Sequence, residues 1–340
     1  MKPILSTKLV AGLTCATVLL ALLSLTLGPA EIGPGSALAA LFGYGDEADV
    51  LILQQLRLPR TLLAAMIGAT LALSGAQLQG FMRNPLAAPD ILGAPGFAAV
   101  FAVVLIVSGG AGALSFAVPV AAVAGALASV AALLALAGPR AAISTIILAG
   151  LALSSLAGAL IALALNLAPN PYAALEIAFW LLGSLEDRGF HHIAIATPFL
   201  AISWLLLLSH RRGLTALALG ADVARSSGID VQRLQTATLV GVAAGVGGSV
   251  AVAGIIGFVG LITPHLVRPM VGNDPARVHV PAMLAGAALL LAADCLVRIL
   301  PAAGEIHIGV VTALVGVPFF LWLILVHRAR DLVQRAGGTE

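Results

Sequence analysis

Arg57-Leu-Pro-Arg60 and Arg83-Asn-Pro-Leu-Ala87 bracket a stretch, Thr61 to Met82, that carries no charged side chain. A helix of roughly two dozen residues at about 1.5 Å each crosses the ~30 Å hydrocarbon core of a bilayer. The arginines at the two ends therefore face opposite sides of a membrane. The rest of the fold is read outward from that helix.

The composition agrees. The chain has 340 residues, 60% hydrophobic and 9% charged, with a mean hydropathy of +1.09. Soluble domains carry about 25% charged residues, so this much apolar surface belongs in lipid. The net charge of +2 is too small to point to nucleic acid. Aromatic residues make up only 5%, while 37 residues are glycine. Small residues let membrane helices approach closely, which favours a compact polytopic bundle. Cys15 and Cys295 lie in separate apolar runs and read as small core residues, with no disulfide framework and no metal site. Lys2 and Lys8 precede an apolar run from Leu9 to about Leu27. The run is longer than the apolar region of a signal peptide and no small-x-small site closes it, so it reads as the first span.

Apolar runs of spanning length recur near 9–28, 60–82, 91–108, 113–138, 142–167, 190–209, 233–255, 257–271, 279–299 and 306–327. The stretch 233–271 would be nearly 60 Å long as one helix, so it is divided at Gly254, Gly257 and Gly260. Pro169-Asn170-Pro171 breaks the chain before a segment, 172–182, that is too short to cross. The expectation is an all-α membrane protein, residues 1–340 forming one polytopic domain. It has about ten transmembrane helices, a short re-entrant helix and both termini in the cytoplasm.

Basic residues orient the bundle, because they stay on the cytoplasmic side. With the N-terminus inside, Lys2, Lys8, Arg83, Arg140, Arg211, Arg212, Arg225, Arg233, Arg268, Arg277, Arg328, Arg330 and Arg335 fall inside. Arg57, Arg60, Arg188 and Arg298 fall outside, where Asp46, Glu47, Asp49, Glu186 and Asp187 make the loops acidic. Arg57 and Arg60 are three apart and share a helix face. Arg298 lies one turn after Asp294, a spacing that permits an ion pair. A bare group of guanidinium side chains on an outer surface suits the carboxylates of a partner. On the inner side, Leu217-Ala-Leu-Gly-Ala-Asp-Val-Ala-Arg-Ser-Ser-Gly228 is too polar to cross. It reads as one or two surface helices ended by Gly228. It is either a solvated loop or a docking element for a cytoplasmic subunit.

Several chemistries lack their residues. Both lysines precede residue 9, so the chain has no P-loop Gly-x-x-x-x-Gly-Lys-Ser/Thr. Gly245-Val-Gly247-Gly-Ser-Val250 imitates part of a dinucleotide fingerprint but sits inside a span, where it serves helix packing. No His-Glu-x-x-His or Gly-x-Ser-x-Gly supports hydrolytic chemistry. His191, His192, His265 and His307 read as interfacial or helix-contact residues, not ligands. Asp90, Glu176 and Asp294 fall near span ends in this map, which weakens the alternative of an ion-coupled secondary transporter with acids at mid-depth.

The ordered motifs resemble those of the permease subunits of type II ABC importers, which take up iron–siderophore complexes, haem and cobalamin. The likeness rests on Arg57-Leu-Pro-Arg-Thr61, Ser74-Gly-Ala-Gln-Leu-Gln-Gly80, Arg83-Asn-Pro-Leu-Ala-Ala-Pro-Asp-Ile-Leu-Gly93 and Phe179-Trp-Leu-Leu-Gly-Ser184. It continues in Leu219-Gly and Ala224-Arg-Ser-Ser-Gly228, in Gly257-Phe-Val-Gly-Leu-Ile-Thr-Pro-His265, and in Gly309-Val-Val-Thr-Ala-Leu-Val-Gly-Val-Pro-Phe-Phe320.

The resemblance implies a pair of permease copies, or one copy with a close homologue, with the path between them in a bacterial inner membrane. It implies two cytoplasmic P-loop ATPase subunits, which hold ATP and magnesium, and a periplasmic binding protein. This chain would bind no cofactor. Arg57, Arg60 and Arg298 would meet the binding protein. Leu219, Gly220, Asp222, Ala224, Arg225, Ser226 and Gly228 would couple to the ATPase. Pro171, Trp180, Gly183 and Ser184 would belong to the gate. Glu305-Ile-His-Ile-Gly309 departs from the family's usual Glu-Leu-Pro-Ile-Gly at His307. Iron–siderophore is the first expectation for the cargo, with cobalamin and haem next.

Overall fold

The computed structural model describes residues 3–108, 116–138, 141–300 and 306–337, with the backbone alone for 3–6, Phe179, Ile324 and 326–337. Lys2, Arg140, Glu305 and the side chains of Arg328, Arg330 and Arg335 therefore lie outside the description. The described chain is helical, with no strand among its residues. The helices are α1 (Pro3–Thr26), α2 (Pro34–Leu41), α3 (Glu47–Leu51), α4 (Leu58–Phe81), α5 (Ala94–Val107), α6 (Ala117–Ala137) and α7 (Ile143–Asn166). There follow α8 (Pro171–Leu182), α9 (Phe190–Ala218), α10 (Ala221–Ser226), α11 (Val231–Ala253), α12 (Val259–Val267), α13 (Pro275–Ile299) and α14 (Ile308–Gly337).

Helices occupy the expected apolar runs, though α12 has only nine residues where a span was expected at 257–271, and the division of 233–271 falls where the glycines stand. α11 ends at Ala253, residues 254–257 are non-helical, and α12 begins at Val259. Seven described helices are long and apolar enough to cross a bilayer, while α5, α8 and the stretch Ile308–Leu323 are shorter.

α4 and α11 form the axis of the bundle, buried along most of their length. α4 lies against α13, α9, α12 and α11. Glycines set the tightest approaches. A β-carbon on Gly75 would collide with the Gly260 carbonyl, and Gly68 and Gly286 stand in the same relation to each other across α4 and α13. Polar pins then fix the helices in a medium where unpaired groups are costly. Trp204 Nε1 donates to Thr70 Oγ1 at 2.8 Å. Gln77 bridges Thr238 at 2.7 Å and His279 at 2.8 Å. Gln79 donates to the Leu261 carbonyl at 3.2 Å and accepts from Arg268 at 2.7 Å. Both glutamines of the Ser74–Gly80 motif are thus internal cross-braces.

Two local readings change. The apolar run at 91–108 looks like a full span, but α5 begins only at Ala94. The segment 82–93 first climbs back into the bundle. Ser129 donates to the Leu92 carbonyl at 2.8 Å and Ser154 to the Asp90 carbonyl at 2.9 Å. Those serines sit near the middles of α6 and α7, so the loop lies at mid-depth. Non-helical backbone is tolerated there because hydroxyls satisfy its carbonyls. The fourteen residues of α5, about 21 Å, then suffice to reach the Arg57 end. In the second change, α9 does not stop near 209 but continues to Ala218. Its 29 residues make it about 43 Å long, so His210, Arg211 and Arg212 ride on a helix that leaves the hydrocarbon.

Candidate functional site

At one end of the bundle a cleft of about 550 Å³ is lined by Arg57, Arg60, Arg298, Glu186, Asp187 and Arg188, among others. The structure brings the three predicted arginines together, but they are not bare. Arg57 is 5% exposed, and it donates to the carbonyls of Leu25 at 2.9 Å, Thr26 at 3.0 Å and Ala30 at 2.5 Å. It closes the C-terminal end of α1, whose last carbonyls have no helical partner. Arg60 donates to Asp294 at 2.8 Å. Arg298 pairs with the other oxygen of Asp294 and donates to the Ser24 carbonyl at 2.9 Å. The expected Asp294–Arg298 pair is therefore one half of a buried triad, and Asp294 is fully enclosed. On the cleft's rim, burial pulls the Arg188 guanidinium below its ordinary pKa, with Asp187 opposing.

Beside the cleft opens a cavity of about 1080 Å³, lined by Tyr172, Glu176, Trp180, Ser184, His192 and His307, among others. Two predicted gate residues, Trp180 and Ser184, face it. Pro171 opens α8, whose N-terminus is capped by Asn170 accepting from Ala173 N at 2.9 Å. Gly183 takes a φ of 71° and packs against the Ile255 carbonyl, where a β-carbon would clash. Ser184 N donates to the Ala253 carbonyl at 2.8 Å. The segment 183–184 is thus fastened to the end of α11 and the irregular linker that follows it. Phe258, in that linker, has a φ of 66° and packs over Gly316 of α14. A bulky residue in the left-handed region marks local strain. Sequence reading missed Phe258, because strain of this kind has no compositional signal. His192 lies 3.3 Å from Arg188, and His265 stacks edge-on to Phe319, a contact between helices of the kind expected for it.

At the opposite end a cleft of about 920 Å³ is lined by Phe81, Arg83, Ser144, Arg225, Asp230 and Gln235, among others. α10 stands at its edge, entered through Gly220 with a φ of 122° and left through Gly228 with a φ of 81°. Ala224 is buried beneath it. Arg225 and Asp222 form an ion pair at 2.8 Å, with side chains 63% and 99% exposed. Ser226 is exposed and donates to the Val223 carbonyl of its own turn. Leu219 and Val223 are exposed beside these polar groups. The whole predicted coupling set thus forms one projecting knob. Val223, which sequence reading passed over, is its second exposed apolar side chain.

Residues 16–326 match the family model described as the FecCD transport family. The chain belongs to that family. It is 38% identical over 293 residues to the cobalamin import system permease protein BtuC of Halobacterium salinarum, covering 86% of this chain and 78% of the relative. It is 34% identical over 332 residues to the hemin transport system permease protein HmuU of Yersinia pestis, covering 94% and 96%. It is 37% identical over 320 residues to the Fe(3+) dicitrate transport system permease protein FecD of Escherichia coli, covering 93% and 98%. A solved ABC transporter assigned to the metal-chelate type, in an inward-facing conformation, superposes with a TM-score of 0.81. The match has 31% sequence identity over 94% of this chain and 99% of the other. As a FecCD member the chain is a multi-pass membrane permease of the ABC class.

Proposed function

We propose that this FecCD chain is the membrane-spanning subunit of an ATP-driven importer, moving a metal chelate inward from a binding protein. Iron–siderophore is the first choice of cargo, with cobalamin and haem next. The observation that carries the reading is the whole-chain likeness to the metal-chelate transporter. Two permease copies enclose the path in a bacterial inner membrane. The chain has no P-loop, so two separate ATPase subunits holding ATP and magnesium drive it.

The geometry supports a route for each partner. A loaded binding protein docks over the arginine cleft. Its carboxylates compete with Asp294 for Arg60, the most exposed member of the triad, at 14% of its side chain. Arg60→Gln keeps a donor for Asp294 and removes the charge. It is expected to weaken docking about tenfold while the permease still folds. Unchanged affinity in a surface-capture measurement would count against docking at this cleft.

At the other end the α10 knob inserts into the ATPase, with Leu219 and Val223 buried on contact and Arg225 and Asp222 at the rim. Removing the exposed Arg225–Asp222 pair costs the fold about 1 kcal/mol or less. Arg225→Ala should therefore leave thermal stability unchanged yet uncouple ATP hydrolysis from transport. Val223→Asp places a charge in the apolar contact. It is expected to cut co-purification of a P-loop subunit tenfold or more, by about 1.4 kcal/mol per decade. Full recovery of the ATPase with Val223→Asp would remove α10 as its docking element.

A further inference from the structure

The cleft of about 920 Å³ lies where α4 ends and α7 begins, so it opens at the level of the lipid headgroups. α7 starts without a cap. Ala142 before it has no side chain that accepts a hydrogen bond, and the N–H groups of Ile143, Ser144 and Thr145 meet no acceptor among the described residues. Such a terminus offers free donors and the positive end of the helix dipole. Ala142, Ile143 and Ser144 line the cleft. A second feature is independent of that helix. Gln235 of α11 is only 6% exposed, lines the same cleft, and has no hydrogen bond with any described residue. Its amide nitrogen and oxygen are not among the sealed-off polar atoms, so they open into the cleft. An amide held in so enclosed a place without a protein partner points to a bound group that serves it. Arg83, on the rim, is exposed and also has no partner among the described residues. The other charges at the cleft are engaged. Asp230 caps α11 and pairs with Arg233 at 3.0 Å, and Arg225 pairs with Asp222.

We propose that this cleft binds a phosphate group, with the first N–H groups of α7, the Gln235 amide and Arg83 as its donors. Phosphate accepts several hydrogen bonds and carries the charge that a helix N-terminus and a guanidinium both favour. The remaining walls are largely apolar, with Phe81, Ile143, Leu217, Ile229 and Val231. Apolar walls beside a phosphate seat at a membrane surface fit a phospholipid of the adjacent leaflet better than a soluble phosphate. The site rests on the geometry of this chain alone, whichever way the importer reading is decided.

Native mass spectrometry of the full-length chain, stripped of lipid in detergent, tests this with three probes. They are dioctanoyl phosphatidylglycerol, dioctanoylglycerol, which lacks the phosphate, and water-soluble glycerol 3-phosphate. The first should bind about tenfold more tightly than the second. Arg83→Gln should weaken phosphatidylglycerol binding about tenfold, and Gln235→Leu about fivefold. Gln235→Leu should not lower the thermal midpoint, because its amide bonds no protein group; a merely structural glutamine would lower it. Arg83 is exposed, so Arg83→Gln decides the matter even where Gln235→Leu folds poorly. Arg277→Gln removes a charge that pairs with Asp274 outside the cleft and should leave binding unchanged. Glycerol 3-phosphate binding as tightly as phosphatidylglycerol would support the phosphate seat and overturn the lipid as its source. Equal binding of dioctanoylglycerol and phosphatidylglycerol would overturn the proposal. So would phosphatidylglycerol binding that Arg83→Gln leaves unchanged, or that Arg277→Gln weakens equally.

Discussion

Asp294→Ala is expected to destabilise the permease by about 3–5 kcal/mol, because it strands two buried cations. Asp294 is fully enclosed and receives Arg60 on one oxygen and Arg298 on the other. Arg298 is only 5% exposed at its side chain, so water cannot replace the lost carboxylate. The damage should spread along the sequence. Arg298 also donates to the Ser24 carbonyl, so freeing it loosens the end of α1 as well as α13. Asp294→Asn keeps the shape and the acceptor oxygen and should recover part of the loss. Thermal unfolding in detergent, followed by size exclusion, reads both variants. A midpoint within a degree of the parent for Asp294→Ala would mean that the triad is not closed as described.

Gly75→Val is expected to be as severe for a different reason. A β-carbon at Gly75 would overlap the Gly260 carbonyl, a backbone atom that no rotamer change can move. Relief requires α12 to shift away from α4, and Arg268 to lose its contact with Gln79. Overpacking typically costs about 1–3 kcal/mol and occasionally more, and a valine against a fixed backbone carbonyl belongs at the upper end. Gly75→Val should thus yield little folded protein, and Gly75→Ala should already lower the midpoint clearly. The comparison position is Gly12, where a β-carbon meets nothing within 4 Å. Gly12→Ala should be silent or mildly stabilising. If Gly75→Val folded normally, the tight α4–α12 approach would be wrong.

These cases show what could be read from residues alone. Apolar runs, glycine clusters and proline breaks located the long helices, since those signals are local, but not the short α2 and α3. The α10 knob was also legible, because a polar stretch flanked by glycines has few other uses in so apolar a chain. The Asp294–Arg298 pair followed from helical spacing, while Arg60, 234 residues away from Asp294, did not. The partners of Arg57 were invisible for another reason: they are backbone carbonyls, which every residue carries. Asp90 was misplaced because hydropathy counts residues and not direction. A run that re-enters and turns back looks the same as one that crosses.

The central claim is that a separate ATPase powers this chain through α10. The most direct measurement is uptake of a radiolabelled hydroxamate iron chelate, and of radiolabelled cobalamin, into proteoliposomes. One set holds the chain alone, and the other holds it with the P-loop subunit that co-purifies. The account predicts that one of these chelates accumulates only in the second set, only with ATP on the ATPase side and a loaded binding protein outside, and not with Arg225→Ala. Accumulation by the chain alone, driven by a proton or sodium gradient without ATP, would contradict it.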